Sequence, residues 1–165
     1  MSNPINVTTY KSQDIVQGVF DTLVAAAPAL GISNRPDGTP DIYYGDQMAI
    51  ARTPTLCVEP APMTRKFDGA SHPPRMQNMF DVLIMVYIQE INNIEAITKE
   101  KDILMDSIQD VMHADWTLGG LLLYGICSAL DPGYALRGNR LMRCAKITYS
   151  GMNKSFLITP GLETI

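Results

Sequence analysis

Histidine is almost missing from this chain. His72 and His113 are the only two among 165 residues, whereas a hydrolytic metal site ordinarily draws two or three imidazoles or thiolates onto one ion. The three cysteines, Cys57, Cys127 and Cys144, form no C-x-x-C pair and are odd in number. Each lies in an apolar or strand-like segment, so they read as buried reduced thiols of a cytosolically made protein. Basic charge is also short: 13 Lys and Arg against 17 Asp and Glu leave a net −4. That balance excludes a dedicated nucleic-acid binder, which grips phosphate through clustered Lys and Arg, but not DNA passing close by without being held. Nowhere do eighteen apolar residues run together, which excludes a membrane span. The opening MSNPINVTTYKSQD carries neither the apolar core nor the basic leader of a targeting peptide.

Catalytic signatures are missing in the same way. There is no G-x-S-x-G elbow, no phosphate-binding G-x-x-x-x-G-K loop, no G-x-G-x-x-G fingerprint and no H-E-x-x-H helix. Repeats and low-complexity runs are absent too. What is present is 46% hydrophobic residues with 18% charged, enough for one domain over residues 1–165 with a buried core.

Residues 12–30 read as an amphipathic helix. Ser12 suits an N-cap, and Ile15, Val16, Val19, Phe20, Leu23 and Val24 recur at the spacing that keeps one stripe on a core. Pro28 and Gly31 close it. A turn-rich loop, SNRPDGTPD, follows; IYYGDQ offers a short strand, and TPTLCVEP (53–60) a strand bounded by prolines. APMTRKFDGASHPPR (61–75) lacks apolar periodicity and projects as a loop or ribbon-like hairpin. MFDVLIMVYIQE (79–90) is nearly all apolar, which implies cover on both faces of a sheet, the second face by a neighbouring subunit. A second helix spans about 93–113. Strands at 121–130 and 140–151 flank DPGYALRGN, which reads as a turn-rich connection. The fold class is α+β: a mainly antiparallel sheet of about four strands with two helices on one face and a projecting loop or hairpin. Residues 1–11 form an N-terminal arm and 152–165 an extended C-terminal tail.

Candidate chemistry is thin. His113 beside Asp110 and Asp115 offers a weak ligand set or an acid–base pair, or simply a ring at the negative end of a helix dipole. Asp41 and Asp46 flank a tyrosine-rich segment as a glycosidase pair would, or are solvated loop acids. Arg137, Arg140, Arg143 and Lys146 offer an anion site or a subunit salt-bridge set. HADWTLGGLLLYG (113–125) places Gly119-Gly120 after a helix and before a strand, the reverse of a phosphate-cradling loop. It reads as a helix-to-strand hinge, with Trp116 packed over the sheet or anchoring a subunit contact. No catalytic, metal or cofactor residue is assigned.

The order of these parts resembles the tail terminator (tail completion) proteins of long-tailed bacteriophages. The likeness is carried by the early helix, PTLCVEP, a projecting segment, FDVLIMVYI, a helix rich in Glu, Lys, Ile and Leu, the D-x-T-L-G-G step at Asp115 to Gly120, and AKITY at Ala145 to Tyr149. It covers most of residues 12–152. The resemblance implies a non-enzymatic subunit of a hexameric ring, without cofactor, located in the virion neck and assembled in the host cytoplasm. Such a ring caps the head-proximal end of the tail tube, stops its growth and joins it to head-completion or connector proteins. DNA crosses the lumen, and an acidic wall would let it slide. Subunit or tube contacts then fall to Arg65, Lys66, Phe67, His72 and Arg75, to Trp116, and to Arg137 and Arg140. Three other readings compete: another neck component, a small hydrolase using Asp41, Asp46 or His113, or a soluble binding module acting alone.

Overall fold

The computed structural model describes residues 12–68, 75–90 and 94–156. Eight elements follow one another: α1 (Ser12–Ala26), β1 (Ile42–Tyr44), β2 (Thr55–Pro60), β3 (Thr64–Asp68), β4 (Arg75–Glu90), α2 (Ile94–Ala114), β5 (Tyr124–Arg137) and β6 (Arg140–Phe156). The class is α+β with two helices, but the sheet differs from the expectation of about four mainly antiparallel strands. It has six, in the order β1-β2-β4-β6-β5 with β3 also on β4, and it is mixed, because β1 pairs parallel to β2.

The extra strands are β1, read as a short strand in IYYGDQ but not counted in the sheet, and β3, read as part of a projecting loop or ribbon-like hairpin. β1 has only three residues. β3, TRKFD, is polar and lies wholly within 61–75; it runs antiparallel to β4 from Thr64↔Met79 to Asp68↔Arg75. β2 and β3 thus lie end to end along one edge of β4, and β3 with the start of β4 makes a two-stranded ribbon. β6 continues to Phe156, and residues 157–165 lie outside the described part.

The stretch DPGYALR is not a connection but the second half of β5, which reaches Arg137 before a two-residue turn. A proline there looks like a strand breaker. β5 is the sheet edge, however, where a missing N–H costs no ladder bond.

Both helices cover the same face. Ile15, Val16, Val19 and Leu23 of α1 and Leu104, Ile108 and Met112 of α2 join Leu56, Val58, Val82, Ile84, Val86, Ala145, Ile147 and Tyr149 in one core. Along β6 from 141 to 149 the side chains alternate: odd-numbered residues face the helices, even-numbered ones the other side. α1 ends at Ala26, two residues before Pro28.

The second face is not left to a neighbour along its whole length. Ile50, from the β1–β2 loop, folds onto Cys57, Tyr87, Met142 and Cys144 to make a smaller apolar cluster. That cover explains why β4 can afford Tyr87 on this side, fully buried. The sequence reading placed a second subunit there because GDQMAIAR, residues 45–52, has no apolar period that would mark Ile50 as a packing residue.

Two β-bulges adjust the faces, one of them in β4 between Tyr87 and Gln89. The other, at Ser128 in β5, separates the pairs Cys127↔Tyr149 and Ala129↔Thr148. The extra residue flips the parity of everything after it. Cys127 lies on the helix side, and beyond the bulge Leu130, Pro132, Tyr134 and Leu136 do, opposite Ile147, Ala145, Arg143 and Leu141.

Candidate functional site

The residues marked as contacts in the sequence fall at two ends of the sheet. Arg65, Lys66 and Phe67 sit exposed on β3, with Phe67 57% exposed. Arg75 opens β4 opposite Asp68 and Phe156. His72 lies outside the described residues. Trp116, 56% exposed, stands at the same end, where the Leu123 N–H donates to the Met152 carbonyl. Its ring is not packed over the sheet, since Leu118 fills the core position of this junction instead. Arg137 and Arg140 bracket the β5–β6 turn at the far end. The fifteen β4–β6 pairs from Arg75↔Phe156 to Glu90↔Met142 put about 50 Å between the two ends at ~3.4 Å per residue.

The junction itself is a local hydrogen-bond knot. The Asp115 carboxylate accepts from the Thr117 hydroxyl at 2.7 Å, the Thr117 N–H at 3.1 Å and the Gly119 N–H at 2.6 Å. Leu118, Gly119 and Gly120 all take positive φ, at 51°, 67° and 87°. Two of the three are therefore glycine, and Leu118 tolerates the strain because it is 95% buried against α1. The Thr117 hydroxyl first, then the Gly119 and Thr117 N–H groups, hold the Asp115 carboxyl below its ordinary 3.8. A carboxyl lowered in the folded state stabilises the fold above its unfolded pKa and stops doing so as pH falls through the folded one. Stability of the wild-type chain should therefore decline below about pH 4 more steeply than that of Asp115→Asn. Urea midpoints measured from pH 5 downward test this, and parallel curves would refute it.

Arg137 and Arg140 are not free cations at a hairpin tip. Arg137 Nη2 lies 2.6 Å from Asp46 Oδ2 and its Nε donates to the Tyr87 hydroxyl at 3.0 Å; that hydroxyl donates to Asp46 Oδ1 at 2.6 Å. The guanidinium also lies over the Tyr87 ring, 5.1 Å from its centre. Arg140 Nη1 donates to the Ile50 carbonyl at 3.0 Å, and the Gly138 N–H to the Met48 carbonyl at 2.8 Å. Loop 45–52 is thus clasped to the tip of the β5–β6 hairpin. Burial first, then the hydrogen bond to Asp46, pushes the Tyr87 phenol well above its usual range. Burial also raises the Cys57 thiol beneath it to about 12, so it stays a neutral thiol at physiological pH.

The three candidate hydrolytic residues are each engaged, and in separate places. Asp41, 2% exposed, takes Arg52 bidentately at 2.9 and 3.3 Å and accepts from the Tyr43 hydroxyl at 3.4 Å. Asp46 serves the clasp. His113 Nε2 accepts the Cys127 N–H at 2.9 Å and so satisfies an edge-strand donor beside the β5 bulge. Among the described residues, no three His, Cys, Asp or Glu side chains gather as metal ligands would, and no helix is long and apolar enough to cross a membrane.

One exposed apolar surface escaped the sequence reading. Past the bulge, the helix-facing side of the β5–β6 hairpin runs out from under the helices. Leu130, Tyr134, Leu136 and Leu141 are 39%, 56%, 63% and 51% exposed, with Arg143 stacked on the Tyr134 ring at 4.6 Å. The signal was that Leu130, Tyr134 and Leu136, four and two residues apart, share one face of a strand, a pattern masked by Asp131-Pro132-Gly133. Compared with models of known protein families and with curated protein sequences, the chain matches none.

Proposed function

We propose that this chain is a structural virion subunit. It forms a ring that caps the head-proximal end of a phage tail tube, ends tube growth and joins tail to head, with DNA crossing the lumen. The observation that carries this reading is the exposed apolar stripe on β5–β6, set on the same side as the core yet beyond both helices. Contiguous exposed apolar surface marks a protein–protein contact, and a subunit that must be covered by other protein has a use for it. The order of elements and the Asp115–Gly120 step, which resemble the tail terminator proteins, supply the kind of assembly. The net −4 of the chain suits a wall past which DNA slides, since an acidic lining repels phosphate. The engagement of Asp41, Asp46 and His113 in structural bonds weighs against the hydrolase reading.

Native mass spectrometry across a concentration series, with negative-stain images and a tube co-assembly, tests the proposal. Closed rings with an open centre, and tubes that stop lengthening when the chain is added, are expected. Rings that leave tube length unchanged but bind portal-side proteins would move the chain to another place in the neck. A single subunit at every concentration, with no effect on tube length, would sink it.

A further inference from the structure

The ribbon that β3 makes with the start of β4 carries charge that its own chain does not engage. Arg65 and Lys66 on β3 and Lys154 on β6 are exposed, and none of the three pairs with an acid among the described residues. Lys66 and Lys154 stand in one row, on either side of Gln77. Arg65 lies on the opposite face with Phe67, which is 57% exposed. Among the described strands β3 pairs only with β4, so its outer edge is open, and an open strand edge needs cover.

The opposite character lies on α2, which carries five acidic and two basic residues. Asp102, Asp106 and Asp110 recur every four residues along its exposed side, with Ile103, 69% exposed, beside them. Asp106 and Asp110 pair with no cation among the described residues. Leu104, Ile108 and Met112 hold the other side of α2 on the core. The acid row therefore stands about a helix diameter, roughly 10 Å, above the sheet. The ribbon continues the plane of the sheet, so it cannot reach the row of its own chain.

We propose that the open β3 edge of the ribbon seats on the outer face of α2 of a second copy of this chain, head to tail. Phe67 covers Ile103, while Arg65 and Lys66, one on each face of the edge strand, straddle the helix and meet Asp106 and Asp110. Lys154 adds to the same positive field. This deepens, and rests on, the ring reading above. Charge decides against the two symmetric alternatives. Ribbon on ribbon sets unpaired cations against cations, and α2 on α2 sets Asp106 and Asp110 against their own copies; both are repulsive. A contact between two different surfaces leaves each copy with one of each still open. Such contacts close into rings when the rotation permits. Because the charges are exposed, they orient the contact and are screened by salt.

The test reverses the charges of each side in the full-length chain. Arg65→Glu/Lys66→Glu has an acidic ribbon and an acidic helix face; Asp106→Lys/Asp110→Lys has a basic ribbon and a basic helix face. All four positions are exposed, and Lys is a good helix former, so circular dichroism and melting temperature should match wild type. By sedimentation equilibrium at low salt, alone and with tail tube, each variant should self-associate at least about tenfold more weakly than wild type. Mixed in equal amounts, the two should recover wild-type assembly in alternation, because each acidic ribbon then finds a basic helix and each basic ribbon an acidic one. Variants that assemble like wild type, or a mixture that stays apart, would overturn this seat while leaving the ring reading standing. So would a ribbon variant that assembles normally but is no longer retained on a random-sequence DNA duplex, since the cations would then serve phosphate. A wild-type chain that stays single, both alone and with tube, would end both.

Discussion

Gly125→Ala should destabilise the chain by about 3 kcal/mol, at the upper end of what overpacking a core costs. Gly125 and Gly151 face each other across β5 and β6, and the Tyr149 ring fills the space that a Gly125 side chain would need. A Cβ there meets both the hydroxyl and the ring carbon that carries it, with Leu122 close behind. Tyr149 has nowhere to go: it is fully buried among Val82, Ile147, Ile108 and Met112. For a chain of this size, 3 kcal/mol corresponds to a fall of roughly 6–12 °C in melting temperature.

The same geometry makes a second, opposite statement. The Tyr149 hydroxyl is buried without a hydrogen-bond partner, so Tyr149→Phe discards an unsatisfied polar group and should be neutral or slightly stabilising. It also removes one of the two colliding atoms. Gly125→Ala should therefore cost less in a Tyr149→Phe background, with a coupling of about 1 kcal/mol in a thermal or urea double-mutant cycle. Additive effects would show that the loss at Gly125 comes from backbone freedom rather than from the ring.

The other large effect belongs to the clasp. Asp46→Ala strands Arg137 and the Tyr87 hydroxyl; Arg137→Ala strands Asp46. Each should cost about 2 kcal/mol, less than for a fully buried pair, because the two ionic side chains keep 22% and 31% of their surface. The double variant should cost scarcely more than either single one, since the network fails as a unit. A local readout separates loosening of loop 45–52 from general instability. Cys57, shielded in the same cluster, should react with a thiol reagent faster in Asp46→Ala under native conditions, as located by mass mapping. An unchanged rate would mean that Ile50 alone holds the loop.

Long-period patterns were legible in the sequence; partners were not. The stripe of α1 and the strand in the apolar run at 79–90 both reached the structure, because burial against a single core imposes a period on a helix and a strand alike. β1 was read as a short strand in IYYGDQ but left out of the sheet count, and β3 was legible only as one alternative, a ribbon-like hairpin, because three to five residues hold too little pattern and their strand identity comes from β2 and β4 alongside. The second half of β5 escaped because Asp-Pro-Gly signals a turn in most contexts, and only its place at the sheet edge makes it a strand. Asp46 and Arg137 were each noticed, one as an acid and one as a contact. Nothing local could pair side chains 91 positions apart. Nor could the exposed stripe be read, since the bulge at Ser128 decides which face Leu130, Tyr134 and Leu136 occupy.

The place of β6 has a consequence for synthesis. β6 is the last element of the described chain, yet it lies between β4 and β5, and Ile84 must wait for Ile147 to find its cross-strand partner. A nascent chain that has reached Leu136 has both helices and five strands emerged, but its two longest finished strands have no neighbour on the sides where β6 will insert. During that interval the exposed edges and the apolar stripe invite pairing with other chains. Here the central strand arrives last, so the apolar stripe shared by β5 and β6 takes its final shape only when the sheet closes.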